Sequence, residues 1–314
     1  MKFQKKSFKV RMKKHPARAV RVSPYTYTRV KAMKAKLLGK EDYQKFLKMS
    51  QEEIARYLQE TEYNKEITEL AMKFSGTNLI EYGLNRNLEN TFSKIWKIAL
   101  RQTKEQIGLY LRRYDIANIK TILRGKYAKV PNEKIINELV VSGELSRNFF
   151  ELVIKESTNL ESAIEYFKRT EYYPVLKKFS NNLTKLEDEL DKLYFSMALD
   201  AAGKDLKDYI QMEITIKNAL NRLRAKKANI NVELLLGEKK IKIPYQDDSV
   251  EARVFMKKLL IERAIRMVHE AKLNLKPILG YFIAKENEIS NIRMITRGKH
   301  AGLGEELIQR QLVI

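Results

Sequence analysis

Asp115-Ile116-Ala117-Asn118-Ile119-Lys120-Thr121-Ile122-Leu123-Arg124-Gly125-Lys126 returns near the other end of the chain as Glu288-Ile289-Ser290-Asn291-Ile292-Arg293-Met294-Ile295-Thr296-Arg297-Gly298-Lys299. From Asp115/Glu288 to Val141/Ile314, at a constant offset of 173, 12 of 27 positions are identical. A weaker copy fits at an offset of 100, on Thr215, Ile216, Asn218, Ala219, Leu223, Arg224, Ala225 and Lys226. In every copy an Asn stands six residues before an Arg and eight before a Lys. An internal repeat constrains architecture before any single residue constrains chemistry. It predicts one helical unit used three times.

The apolar positions Ile116, Ile119 and Leu123, and Ile216, Ala219 and Leu223, have helical spacing, so this arm reads as an amphipathic helix. Gly125 and Gly298 then fall where a helix C-terminus accepts a left-handed residue. The neighbouring Arg and Lys suit the negative end of the helix dipole. A second helix is expected from about Glu133, Glu233 and Glu306. The candidate site residues are therefore Asn118, Arg124, Gly125 and Lys126, Asn218, Arg224 and Lys226, and Asn291, Arg297, Gly298 and Lys299. They read as structural corners that cap and pair locally, with direct contact to a partner or a lipid as the alternative.

Gly and Pro total 18 of 314 residues, about half the usual share of roughly 12%. No proline lies between Pro24 and Pro131. The fold class expected is all-α. Helices are predicted near 25–38, 53–60, 65–74, 78–101, 104–124, 132–141, 146–156, 159–169, 183–202, 205–227, 249–271, 276–297 and 304–313. Ser50 and Glu53 have capping-box spacing, and Lys239–Ile243 is the one extended candidate. The domains expected are a basic arm over 1–22 and helical repeat domains over 23–142, 143–241 and 242–314.

The net charge of +22 is uneven: residues 1–40 hold 14 Lys or Arg and no acid. Such an arm is either disordered or ordered by an anionic surface, and lipid headgroups and RNA would both serve. There is no cysteine, which fits a reducing compartment. No apolar run nears the roughly 20 residues that span a bilayer. The N-terminal stretch lacks the apolar core of a secretory signal.

The sequence holds no arrangement that supports catalysis. Gly39-Lys40, Gly125-Lys126, Gly203-Lys204 and Gly298-Lys299 lack both the upstream Gly and the following Ser or Thr of a phosphate-binding loop. His15, His269 and His300 have no metal-ligand spacing; His300 reads as a cation at a helix end. Glu187-Asp188 and Asp247-Asp248 read as solvated surface, and Trp96, in a helical apolar pattern, as core. No cofactor is expected.

Over about 23–314 the chain resembles the C subunit of archaeal A-type ATP synthases, the counterpart of the d subunit in eukaryotic V-type ATPases. The resemblance runs through Tyr25–Leu38, Asp42-Tyr43, Ile54–Leu58, Leu84–Leu88 and the three basic corners. It is strongest over Pro277-Ile278-Leu279-Gly280-Tyr281-Phe282-Ile283-Ala284-Lys285-Glu286-Asn287-Glu288. It implies three helical domains in a funnel around a pseudo-threefold axis. It also implies a non-catalytic socket on the cytoplasmic face of the membrane. There the socket would seat on the proteolipid rotor ring and receive the D and F subunits of the central stalk. Contact with anionic lipid is compatible with that place, and no specific nucleic acid is expected. The competing class is a nucleic-acid-binding helical repeat protein that uses the basic arm. The sequence departs from the family pattern in the arm, at Thr215 and at Ala225.

Overall fold

In the computed structural model, residues 20–228, 234–235 and 244–314 are described. Among them the regular structure is helical. The first group is α1 (Pro24–Lys34), α2 (Lys40–Lys48), α3 (Gln51–Leu58), α4 (Asn64–Ala71), α5 (Gly76–Ile98), α6 (Arg101–Tyr127) and α7 (Asn132–Glu138). Next come α8 (Arg147–Glu156), α9 (Leu160–Glu165), α10 (Tyr173–Leu176), α11 (Leu183–Ala201) and α12 (Lys204–Ala228). The last are α13 (Val250–His269), α14 (Lys276–His300) and α15 (Glu305–Gln309). The extended candidate at 239–243, the second helix from Glu233 and residues 1–19 of the arm lie outside the described residues.

Helix starts follow local chemistry. The Ser50 hydroxyl accepts from the Glu53 amide at 3.2 Å, and the Ser50 amide donates to Glu53 at 2.7 Å, the expected capping box. Ser23, Ser146, Asn182 and Ser249 cap α1, α8, α11 and α13, each accepting from the amide three residues on. Each cap satisfies a donor that a helix start otherwise leaves orphaned. Two helices have no counterpart among the predicted ones. α2 is short and charged but buries Tyr43, Phe46 and Leu47 on one face. α10 is a single turn around Leu176. Segments this short are held by packing rather than by propensity.

Six long helices dominate, as the consecutive pairs α5–α6, α11–α12 and α13–α14. On α5 the buried Ile80, Leu84, Leu88 and Ile95 recur at helical spacing. α14 is buried on more than one face and packs against α13, α5, α1 and α2. Phe282 on α14 meets Phe92 of α5 at 4.7 Å and Tyr110 of α6 at 5.7 Å between ring centroids. Such pairs add about 0.5–1.5 kcal/mol beyond their buried area. One apolar core runs from Val22 to Val313, and a small separate cluster of Ile216, Ala219 and Met256 joins α12 to α13.

Candidate functional site

The motif asparagines perform one task three times. Asn118 donates to the Val140 carbonyl at 2.9 Å and accepts from its amide at 3.0 Å. Asn291 does the same with Val313 at 2.7 and 3.2 Å, and Asn218 with Leu235 at 2.8 and 2.8 Å. Each side-chain amide thus mimics a sheet partner and pins a returning segment to its helix.

Gly125 and Gly298 are not the left-handed caps that their position suggested. They lie inside α6 and α14, and the positive φ falls four residues later, at Lys129 (54°) and Gly302 (71°). The Val130 amide reaches back to the Gly125 carbonyl at 2.8 Å, and Leu303 to Gly298 at 2.9 Å. This is the six-to-one bond of a Schellman end. The glycines are required for another reason. A β-carbon on Gly125 would stand 2.5 Å from Ile135, and one on Gly298 2.7 Å from Ile308. The following helix therefore packs directly on backbone.

The arginines reach far beyond their own corner. Arg124 forms a two-pronged pair with Glu187 on α11, with Nε to Oε1 at 2.6 Å. Arg224 meets Asp248, just before α13, at 3.2 Å. Arg297 grips Glu81 on α5, with Nη2 to Oε2 at 2.9 Å. In each case the partner precedes or lies on the first helix of another long pair. Lys126 donates to the carbonyls of Ile154 and Ser157 at the end of α8, at 2.5 and 2.7 Å, and Lys299 to that of Leu47 in α2 at 2.6 Å. Lys226 lies exposed on α12. Lys126 also meets the Asn132 side-chain oxygen of its own corner at 3.0 Å, so the pairing is local in part; the arginine contacts are long-range, because a helix of about 25 residues carries its end into a different part of the molecule.

The acid that opens the motif works the same way. Buried Asp115 accepts from the amides of Glu144 and Leu145 at 2.7 and 3.2 Å and from the Tyr172 hydroxyl at 3.0 Å. Burial outweighs these bonds and pushes its carboxyl up to about 7. Glu288 accepts from the Leu38 amide at 2.5 Å, the Tyr63 hydroxyl at 2.6 Å and Lys285 at 2.7 Å. Thr215 instead donates to the Gln211 carbonyl of its own helix at 2.7 Å.

Sequence reasoning missed the carboxylate partners. Glu187 and Asp248 read as solvated surface, yet their side chains are 13% and 6% exposed. Asp248 is held below the usual carboxylate range, chiefly by its hydrogen bond to Arg253. No constant offset links Glu81, Glu187 and Asp248 to the motif, so the sequence carried no signal for them. A second cluster did leave one. Arg113, Glu213 and Glu286 occupy a single aligned position in the three copies, and they line one cavity of about 280 Å³ between α6, α11, α12 and α14. Arg113 donates to both Glu213 oxygens at 3.2 and 2.9 Å and stacks 3.9 Å from the Tyr110 ring centroid. Glu286 accepts from the hydroxyls of Tyr110 and Tyr114 at 2.9 and 2.7 Å, and burial raises its carboxyl.

None of these groups is arranged to act on a substrate. The carboxylates are engaged with Arg, Lys, Tyr or backbone partners, and the described residues contain no group of His, Asp and Glu able to hold a metal. Gly125-Lys126 and Gly298-Lys299 are helical, the geometry opposite to a phosphate cradle. The class so defined is a helical scaffold whose repeated motif binds its own segments together.

The profile of the ATP synthase (C/AC39) subunit family matches residues 26–245 and 237–311. The chain is 38% identical to the A-type ATP synthase C subunit of Methanosarcina mazei, over 92% of each protein. It is 37% identical to the corresponding protein of Methanosarcina acetivorans, again over 92% of each. It is 33% identical to that of Archaeoglobus fulgidus, over 92% of this chain and 96% of the relative. The chain belongs to the ATP synthase (C/AC39) subunit family. It is a subunit of that assembly rather than an enzyme in its own right. No helix among the described residues is long and apolar enough to cross a membrane.

Proposed function

We propose that the chain is the non-catalytic coupling subunit of the central stalk in a rotary A-type or V-type ATP synthase. In this reading, residues 23–142, 143–241 and 242–314 are three like domains set as a funnel around a pseudo-threefold axis. The body seats on the proteolipid rotor ring at the cytoplasmic face, as a peripheral subunit. Its opening receives the D and F subunits of the stalk. Torque passes through it between ion translocation and ATP synthesis or hydrolysis, and no cofactor takes part.

The observation that carries this reading is the closed order of the arginine clamps. The first copy grips the helix pair of the second, the second that of the third, and the third that of the first. A closed cycle is what three like units around an axis require. The meeting of Arg113, Glu213 and Glu286, one from each copy, at a single cavity supports the same axis. Torque transfer needs stiffness, and the ion pairs and carbonyl-capping lysines that tie the corners to neighbouring units supply it.

The test is reconstitution. The purified chain is mixed at low salt with a D–F stalk complex and, separately, with detergent-solubilised ring, and co-elution is scored. Association with both is expected. Failure to associate with either would end the proposal.

A further inference from the structure

Trp96, expected in the core, is 39% exposed. It stands two residues before the end of α5, beside the corner that leads into α6. Leu100 in that corner is 55% exposed, and Tyr25, in the first turn of α1, is 62% exposed. Two contacts bring these pieces together: the Thr26 hydroxyl donates to the Ile98 carbonyl at 2.8 Å, and the Thr103 hydroxyl to the Arg21 carbonyl at 3.5 Å. Lys94 and Lys97, which flank Trp96 along α5, and Arg21 at the root of the arm are exposed. The Arg101 side chain is 93% exposed and meets Glu105 at 3.4 Å.

This tip lies at the end of α6 opposite its Arg-Gly-Lys corner, about 35 Å away along the helix. The two ends differ in kind. At the corners most of the cations are tied to partners inside the molecule; at the tip they stand in solvent, interleaved with apolar side chains. Trp and Tyr beside Lys and Arg is the composition that lodges at a lipid–water boundary, rings at headgroup depth and cations against anionic headgroups. The neighbouring residues 1–19 add eight Lys or Arg and no acid. The tip is a helical corner, not a groove that would track a strand, and Leu100 offers no ring on which a base could stack.

We infer that the tip formed by Tyr25, Trp96 and Leu100, with Lys94, Lys97 and Arg101, is a docking surface for an anionic lipid bilayer. It would attach the subunit to the membrane directly, in addition to any contact with protein. The inference is independent of the coupling role, because stalk and ring association are measured without vesicles.

Trp96 is the only tryptophan in the chain, so it reports on its own surroundings. The full chain is mixed with vesicles of phosphatidylcholine alone, or of phosphatidylcholine with about one-third phosphatidylglycerol. Expected are flotation with the anionic vesicles only, a blue shift of Trp96 emission, and quenching by lipids brominated near the headgroup. Lys94→Glu with Lys97→Glu should weaken binding by about tenfold or more while the circular dichroism spectrum stays unchanged. Equal binding to neutral vesicles would overturn the inference. So would vesicle binding that leaves Trp96 emission unmoved and ignores the charge reversals, since that would assign the affinity to the arm alone. A Trp96 response to a single-stranded oligonucleotide but not to vesicles would give the surface to nucleic acid.

Discussion

Asn118 and Asn291 stand 173 positions apart and hold the same two backbone groups of a returning chain, those of Val140 and Val313. Truncating Asn118 strands a buried N–H and a buried C=O; truncating Asn291 strands the Val313 N–H, while the Val313 carbonyl keeps the Asn287 side-chain amide at 2.7 Å. Asn118→Ala should cost about 2–4 kcal/mol and Asn291→Ala about 1–3 kcal/mol, read from urea unfolding. A cost below about 0.5 kcal/mol would mean that the pin is dispensable. Gly125→Ala should cost about 1–3 kcal/mol through overpacking against Ile135. Combined with Ile135→Ala, which removes both the Cδ1 and the Cγ1 that would stand 2.5 and 2.7 Å from the new β-carbon, the loss should be markedly less than the sum of the two single changes. Additive losses would instead assign the glycine a backbone role. Asp115 makes the third test. Its folded value of about 7 lies above the unfolded value of about 4, so ionisation works against the fold. Its contribution is most favourable below about pH 4, declines as pH rises to about 7, and is flat beyond. Carboxyl carbon NMR should place its midpoint near about 7; a midpoint near about 4 would mean that the bonds from Glu144, Leu145 and Tyr172 prevail over burial.

At the scale of elements the three junctions are unequal. α6 meets the α8–α11 region through an acid, an arginine and a lysine, and α14 meets the α2–α5 region through the same three types. α12 meets α13 through Arg224 and Asp248; Thr215 donates to the Gln211 carbonyl of its own helix and Lys226 is exposed. Ala225 stands where the other copies have glycine. The apolar contact there is the small separate cluster around Ile216, Ala219 and Met256. Local opening free energy tracks such contacts. Amides of residues 215–224 in α12 should therefore exchange with solvent before those of residues 115–124 in α6. The reverse order, followed by mass spectrometry, would refute the ranking. The departures at Thr215 and Ala225 were visible in the sequence, whereas the mechanical consequence needed the partners.

Across the whole molecule, Arg113 joins elements that the chain keeps far apart. Its guanidinium lies between Glu213 of α12, Tyr194 of α11 and the face of Tyr110. Removing one half of this half-buried pair, each side chain 17% exposed, leaves the other charge poorly compensated. Arg113→Met should cost about 3–5 kcal/mol, and Glu213→Leu added to it should recover a large part. If the double variant is no more stable than the single one, the pair is not the source of the loss.

The repeat, the scarcity of Gly and Pro and the helical spacing of Ile and Leu were enough to determine the all-helical class and most of the long helices. The ordered motifs from Tyr25 to Lys299 were enough for the resemblance to the C-subunit family. Those properties are local or periodic, and the sequence records them directly. The aligned Arg113, Glu213 and Glu286 were legible by offset alone, as three ionisable residues at one position. The rest was decided only by tertiary structure: that Arg124 finds Glu187, Arg224 finds Asp248 and Arg297 finds Glu81, that the motif glycines yield to isoleucines, and that Trp96 lies at the surface with its ring against Gly108 of α6. Which charge meets which depends on where a helix about 35–40 Å long delivers its end. That end point is set by the packing of every helix at once and by no stretch of sequence alone.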